Sequence, residues 1–372
     1  MKNALLAHPR SRTLPDFAFL GAAGALIIFG FVMLASASSD LAQREFGESY
    51  YYLFHQFTNG FLVGAGGFLV GTFAYYRIWE KFAVPLLAFA LVGLLLVFTP
   101  LGMAAKGGER WVSLGAFTFQ PGEFAKLALI IYLASWLSRN QARGKSVLEG
   151  LLPFLGLLGG VIFLLLLQPS TSTAMMLAAA SLILYFMGGA RPRFVFLIGF
   201  AALIGFSLLI YFTPYRLARL ETLFNPSADP LGGGYHLSQA KTAIGSGMLT
   251  GVGFGQSTAK LSVLPEPLGD SIFAIVGEEF GFIGAASLIM LFLVFIIRGF
   301  AIARAAPDAF GRLAAVGFVS VIGIQAFVNM AAISGLIPLT GVPLPFISYG
   351  GTALAVFLTM TGIVVNISRY RR

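Results

Sequence analysis

Apolar residues run for about 20 positions at a time along most of this chain, the length of helix needed to cross a hydrocarbon layer. In lipid only helices and closed barrels satisfy every backbone polar group. Barrel strands would alternate over about 10 residues, and these runs do not alternate. The pattern predicts ten spans, near residues 16–38, 55–75, 81–99, 121–138, 149–168, 172–189, 193–213, 270–298, 311–336 and 345–368. Pro-Gly clusters and charges separate them. No internal repeat is visible. The predicted class is an all-α polytopic membrane protein. Its first run follows Lys2, Arg10 and Arg12 and precedes Ala35-Ser36-Ala37, as a signal peptide would. The apolar stretch is longer than a signal core of about 7–15 residues, so it reads as a retained first span.

Composition narrows the class further. Of 372 residues, 58% are hydrophobic and 10% charged. A soluble domain carries about a quarter charged residues, and a disordered chain has the opposite balance. Without cysteine there is no disulfide, thiol nucleophile or thiolate metal site. His8, His55 and His236 lie too far apart in sequence to show metal-ligand spacing. The formal net charge of +9 lies mostly in short loops, where it sets topology. Sixteen Lys and Arg fall on the side of both termini, seven on the other, and Lys126 inside a span. The richer side is cytoplasmic. Residues 1–15 then form a cytoplasmic tail and 16–372 a single membrane domain. A large extracytoplasmic loop, about 214–270, joins helices 7 and 8. The cytoplasmic loops are short and hold no nucleotide fold, so chemistry is expected to face outward.

Four constellations carry candidate chemistry. The first is Lys106-Gly-Gly-Glu109-Arg110-Trp111 running to Gln120-Pro121-Gly122-Glu123 and Lys126. Pro121 suits a first helical turn, and Glu123 there interacts favourably with the helix dipole. Glu123 and Lys126 share a face as an ion pair, a wall of a substrate cavity, or both. Arg110 is either a phosphate ligand or a headgroup anchor beside an interfacial Trp. The second is the outer loop, with Arg216, Arg219, Lys241 and Lys260 around Gly245–Gly255. Its glycines allow tight turns or close backbone approach to an anion. It is neither a Walker loop nor a dinucleotide fingerprint.

The third is Asp270 with Glu278 and Glu279. On one straight helix Glu278 falls about 80° around and about 12 Å along from Asp270, and Glu279 about 180° around. No carboxylate dyad forms that way. Asp270 reads as an N-cap or a general base, and the glutamates as interhelical bonding groups or an ion path. The fourth is Asn329 with the Pro- and Gly-rich stretch Gly335 to Thr352. Its prolines rule out continuous helix, so it is expected to shape the outer rim of a cavity.

Together these segments resemble the SEDS family of shape, elongation, division and sporulation proteins (FtsW, RodA and SpoVE). The resemblance rests on Arg110-Trp111, Phe119-Gln120-Pro121 and Glu123-x-x-Lys126. It continues through Asn225-Pro226, Asp229-Pro230, Gly234-Tyr235, Gln239, Ser246-Gly247 and Gly251-x-Gly253-x-Gly255. It closes with Leu264-Pro265-Glu266, Asp270-x-Ile272-Phe273-Ala274, Gly277-Glu278-Glu279 and Pro343-x-Pro345-Phe346-Ile347-Ser348-Tyr349-Gly350-Gly351. The Leu-Pro-Glu-Pro and Asn-Pro…Asp-Pro forms look most like the FtsW and SpoVE branches. Two departures stand out. Gln168-Pro169-Ser170 replaces the usual Gln-Pro-Asp, and Leu268-Gly269-Asp270-Ser271 replaces the frequent His-Thr-Asp-Phe.

The resemblance implies a peptidoglycan glycosyltransferase of the inner (cytoplasmic) membrane that polymerises lipid II on its outer face, with inversion, in septal wall synthesis. The family's essential aspartate aligns with Asp270, which makes it the expected general base. Arg110, Glu123, Lys126, Arg216, Lys260, Glu266 and Ser348 are the substrate-binding candidates. No protein metal site is expected. A divalent cation (Mg or Mn) is a candidate cofactor for the pyrophosphate leaving group. Lipid II, the nascent glycan strand, a class B penicillin-binding protein and other division or elongation proteins are the implied partners, with no nucleic acid. A lipid II flippase, an ion-coupled transporter using Glu278 and Glu279, and a non-catalytic scaffold for the transpeptidase are the alternatives.

Overall fold

The structure is a computed structural model that describes residues 13–105, 108–115, 117–140, 143–229, 232–261 and 264–370. Most of the 1–15 tail, with Lys2, His8, Arg10 and Arg12, lies outside these residues, as do Lys106, Pro230, Arg371 and Arg372. Helix occupies every one of the apolar runs. In order these are α1 (Phe17–Phe46), α2 (Tyr51–His55), which continues through a π-helical stretch Gln56–Leu62 into α3 (Val63–Phe73), α4 (Arg77–Lys81), α5 (Ala83–Leu96) and α6 (Pro121–Arg139). Next come a π turn Val147–Leu151 leading into α7 (Leu152–Leu167), α8 (Thr171–Met187), α9 (Pro192–Tyr211), α10 (Pro214–Phe224) and α11 (Gly233–Ser246). The chain ends with α12 (Ile272–Arg304), α13 (Ala309–Ile333) and α14 (Gly351–Ser368). Among the described residues, 6 continuous helical stretches of at least 18 residues are long and apolar enough to cross a membrane. The chain is an integral membrane protein.

Local chemistry sets the helix ends. Asp16 caps α1 by accepting from the Phe19 N–H at 3.0 Å, and its carboxylate also pairs with Arg298 of α12 at 2.5 Å. Its backbone N–H donates to Ser368 Oγ at the end of α14 (3.1 Å), and the Thr13 N–H donates to Arg369 O (2.8 Å). Pro121 opens α6, where its missing N–H costs nothing. Asp308 caps α13 through the Gly311 N–H at 2.8 Å. The centre of the bundle is α13 and α14, each with 78% of its apolar window buried in protein. By contrast α9 has 11% buried and presents its apolar surface outward.

The all-α expectation needs one correction. Residues 102–119 form a three-stranded antiparallel sheet, β1 (Gly102–Ala105), β2 (Gly108–Leu114) and β3 (Phe117–Phe119), in the order β1-β2-β3. Trp111 pairs with Met103, and Val112 with both Gly102 and Phe119. Val112 is fully buried, and Gly115 turns the chain at φ 71°. Short strands between two helices lack the long alternation by which a sequence announces a sheet. The segment 214–270 is likewise more ordered than a loop, since it contains α10 and α11.

The straight-helix reading of 270–298 also fails. The helix starts at Ile272, and Gly281, at φ 63° and ψ −162°, breaks it. A break leaves carbonyls and amides without helical partners, which an apolar setting penalises. The segment 248–253 supplies those partners. The Phe282 and Ile283 N–H groups donate to Met248 O (2.8 Å) and Leu249 O (3.1 Å). Glu278 O and Glu279 O accept from the N–H groups of Val252 (2.9 Å) and Gly253 (3.1 Å). Such close approach excludes side chains: a Cβ on Gly247 would sit 1.9 Å from Gly277 O, and one on Gly251 2.2 Å from Glu279 O.

A Gly281→Ala substitution would force a left-handed φ and place Cβ 2.4 Å from Gly251 N. It is expected to destabilise the protein by at least about 1–3 kcal/mol. Gly21→Ala in α1, where a Cβ meets nothing within 4 Å, is the control. Thermal unfolding in detergent that gives the two variants the same Tm would disprove this account of the break.

Candidate active site

Asp270 lies in the turn between Pro265 and Ser271, half-buried, two residues before α12. The N-cap is Ser271, so the capping reading of Asp270 does not hold. Glu266 starts the turn at φ 48° and is exposed, and its carbonyl accepts from the N–H groups of Gly269 (3.0 Å) and Ser271 (3.3 Å). The carbonyls of residues 268, 269 and 270 are each held from elsewhere in the chain. Leu268 O accepts from the Tyr349 N–H (2.8 Å), Gly269 O from the Ser348 hydroxyl (2.6 Å), and Asp270 O from Asn329 Nδ2 of α13 (2.8 Å). Ser348 Oγ also accepts from the Leu344 N–H (2.8 Å), and Asn329 Nδ2 also reaches Val342 O (2.8 Å). The rim segment 334–350 is non-helical, as expected, and buried at residues 344–348. The Asp270 carboxylate faces Gly341, where a Cβ would stand 3.8 Å from Oδ2.

His236 of α11 buttresses the same turn. Its Nε2 lies 2.6 Å from Ser271 Oγ, and that hydroxyl donates to Pro265 O at 2.7 Å. The hydroxyl has one proton, so Nε2–H of the imidazole is the donor to it. Burial holds the His236 pKa below its ordinary value, Glu266 opposes the shift and Arg219 adds to it.

Three arginines gather on the other side of the rim, around the start of α8. Arg110 of β2 donates from Nε to Gln168 O (3.3 Å) and from Nη2 to Pro169 O (2.6 Å). Arg216 of α10 donates to Thr171 Oγ1 (3.0 Å) and Thr213 Oγ1 (2.9 Å), and Arg219 to Leu339 O (3.2 Å). Ser172 Oγ ties the first turn of α8 to Thr340 O at 2.8 Å, next to Gly341. The helix N-terminus and the guanidinium groups together favour an anion there.

Two ion pairs lie in the interior. Lys126 and Glu123 are buried and 2.7 Å apart, and Lys126 Nζ also donates to Gln325 Oε1 at 2.6 Å. Gln325 Nε2 in turn donates to Pro343 O at 2.9 Å, so this pair supports the rim from beneath. Lys260 is buried too, with Nζ 3.1 Å from Glu279 Oε1, 3.0 Å from Ser36 Oγ and 2.8 Å from Gly255 O. The structure thus places the Lys260 ammonium inside the protein rather than at a surface open to substrate. Glu278 accepts from the N–H groups of Thr258 (2.9 Å) and Ala259 (3.4 Å) and from the Ser257 and Thr258 hydroxyls. The anion cradled by this loop is the protein's own Glu278 carboxylate.

Asp270, Ser348 and Glu266 are brought together in one turn and its clamp. Arg110 and Arg216 meet at the α8 start, while Glu123, Lys126 and Lys260 support from inside. Sequence reasoning passed over His236 and Tyr349 as site residues and held Arg219 only as one cation of the outer loop; their partners across the fold bring all three to the site. Among the described residues no group of three or more His, Asp or Glu is gathered closely enough to hold a metal ion.

Comparison with known proteins adds a family. The pattern of the cell cycle protein family comprising FtsW, RodA and SpoVE matches residues 17–372. Stage V sporulation protein E of Bacillus subtilis is 38% identical over 364 residues, covering 97% of this chain and 99% of that protein. A probable peptidoglycan glycosyltransferase FtsW of Geobacter sulfurreducens is 40% identical over 354 residues, 95% of each chain. Among solved structures, a chain from work on structural coordination of polymerization and crosslinking by a peptidoglycan synthase complex superposes with a TM-score of 0.80. It is 28% identical, over 95% of this chain and 98% of that one. The rod shape determining protein RodA of Thermus thermophilus matches with a TM-score of 0.71 and 27% identity, over 96% of this chain and 97% of that one.

Two outcomes follow from the buried groups. Lys260→Met strands the Glu279 carboxylate, a loss of about 3–5 kcal/mol for a broken buried pair. Adding Glu279→Gln restores much of it; unfolding in detergent that finds the double variant no better than the single one contradicts this. The lowered His236 pKa stabilises the fold above the ordinary histidine value of about 6.5, and that stability is lost as pH falls through the lowered value. The acid side of a Tm-against-pH curve should flatten in His236→Asn, and an unaltered curve would exclude the assignment.

Proposed function

The chain belongs to the cell cycle protein family of FtsW, RodA and SpoVE, and from that membership we propose that it is a peptidoglycan glycosyltransferase polymerising lipid II for the septal wall. It works at the outer face of the cytoplasmic membrane. The ten apolar helices cross that membrane with both termini inside, residues 16–372 act as one membrane domain, and 214–270 lies outside. The observation that carries the reading is Asp270, a carboxylate on a turn whose carbonyls at 268, 269 and 270 are each fixed by a donor from the rim or α13.

A single positioned base is what this reaction requires. Asp270 accepts the proton from the 4-hydroxyl of the acceptor's N-acetylglucosamine as that oxygen bonds to C1 of the lipid-linked N-acetylmuramic acid at the strand end. The bond from C1 to the phosphate oxygen breaks, and its electron pair leaves with undecaprenyl pyrophosphate. Attack opposite the leaving group inverts the anomeric centre. Pyrophosphate departs as a stable anion, so no general acid is needed, but its developing charge must be met by fixed positive groups. Arg110, Arg216 and Arg219, with the start of α8, fill that role across the rim from Asp270. Ser348 acts through Gly269, and Glu123, Lys126 and Lys260 act through the walls they brace. Glu278 and Glu279 are spent on internal bonds, which disfavours an ion path through them.

A class B penicillin-binding protein is the proposed partner. The support is the similar chain from a synthase complex in which polymerization and crosslinking are coordinated. Purified Asp270→Asn, with wild-type thermal unfolding, should polymerise lipid II about 10²–10⁴ times more slowly, the usual worth of a placed base. Glycan formation is measured with and without the transpeptidase, and wild-type rates from this variant would sink the assignment.

A further inference from the structure

The turn that fixes Asp270 is itself irregular, so something must fix it. Residues 346–350 are outside any helix, and Phe346 sits at φ 66°. No helical ladder sets the positions of the Ser348 hydroxyl and the Tyr349 N–H, the two groups that hold Gly269 O and Leu268 O. One side chain grips the backbone of this turn from outside it. Gln56 is 3% exposed and stands at the start of the π-helical stretch between α2 and α3. Its Oε1 accepts from the Gly350 N–H at 3.0 Å, and its Nε2 reaches Ser348 O at 3.4 Å.

The neighbouring residue supports the grip. His55 Nδ1 lies 2.7 Å from Tyr349 Oη, and its Nε2 lies 2.8 Å from Asn59. The π stretch also comes close to the start of α14. A Cβ on Gly60 would stand 3.1 Å from Gly351 Cα, so the backbones approach near enough for a glutamine amide to span the gap. π-Helical turns recur at functional sites, where a wider turn re-aims side chains.

We propose that Gln56 is a positioning residue for Asp270, acting through the Ser348–Gly350 turn, in the polymerase reaction proposed above. One amide oxygen and one amide nitrogen set the turn, the turn sets two successive carbonyls of the Asp270 loop, and the loop aims the carboxylate. Gln56 touches neither substrate nor Asp270. Its effect is on where the base stands, so it belongs to the turnover step and not to lipid II capture.

The test is steady-state glycan polymerisation by the full-length protein on purified lipid II. Gln56→Ala should lower kcat about 10- to 100-fold, the scale of a base misplaced by about 1 Å. KM for lipid II and thermal unfolding should stay near wild type, which a purely structural loss would not allow. Combined with Ser348→Ala, the double variant should be no slower than the slower single variant, because both act through one link. Wild-type kcat in Gln56→Ala, a loss carried by KM, or additive losses would each overturn the proposal. If Gln56→Ala does not fold, Gln56→Glu, which keeps an acceptor for the Gly350 N–H, is read by the same criteria. A wild-type protein unable to polymerise lipid II would overturn the polymerase reading itself. An active wild type, an inactive Asp270→Asn and a fully active Gln56→Ala would overturn only the role of Gln56.

Discussion

In an apolar setting a backbone amide without a partner costs too much to persist, and the break in α12 makes meeting that demand the condition for the rest of the site. Gly281 ends one short helix and begins a longer one, and the segment 248–253 accepts and donates the bonds the break exposes. This pairing seats the short helix that follows Asp270. It also fixes the start of the 253–260 loop, which closes over Glu278 and Glu279. Charges that would be prohibitive on a lipid-facing helix become tolerable once Lys260, Ser36 and backbone N–H groups surround them.

The same logic operates at the site itself. The Asp270 turn has no ladder of its own beyond the bonds to Glu266 O, so its geometry is borrowed from α13 through Asn329 and from the rim through Ser348 and Tyr349. Arg110, Arg216 and Arg219 hold carbonyls and hydroxyls around the α8 start, which orients their guanidinium groups before any substrate arrives. Both groups are thus held in place by hydrogen bonds within the protein, the preorganisation on which the proposed reaction would draw.

The helices were legible because about 20 apolar residues in a row admit few other structures. Their edges were less so: α14 begins at Gly351 rather than near 345, since Pro345 and Phe346 lie in the buried rim. The three-stranded sheet of β1, β2 and β3 was illegible because its strands of 3–7 residues are too short for a period to register. Gly281 gave no local warning either, since glycine is common within apolar helices and only the partner segment 30 residues upstream makes a break affordable. Asp270 stood out as a carboxylate beside an apolar run, and the rim stood out through its prolines. Gln56 did carry a faint signal, one amide inside an apolar run between His55 and Asn59. Its meaning depends on a turn nearly 300 residues away.

The start of α1 is bonded to the far end of the chain: Asp16 to Arg298 and Ser368, and Thr13 to Arg369. A ribosome makes α1 before α12 and α14, so the first helix waits in the membrane without these distant bonds until the later helices are inserted. The Asp270 turn waits likewise, because Asn329, Ser348 and Tyr349 all emerge after it. Contacts of such long sequence separation close late. The turn that carries Asp270 is therefore completed only after the segment leading into α14 has been made, and a chain stalled earlier would insert with that turn unclamped.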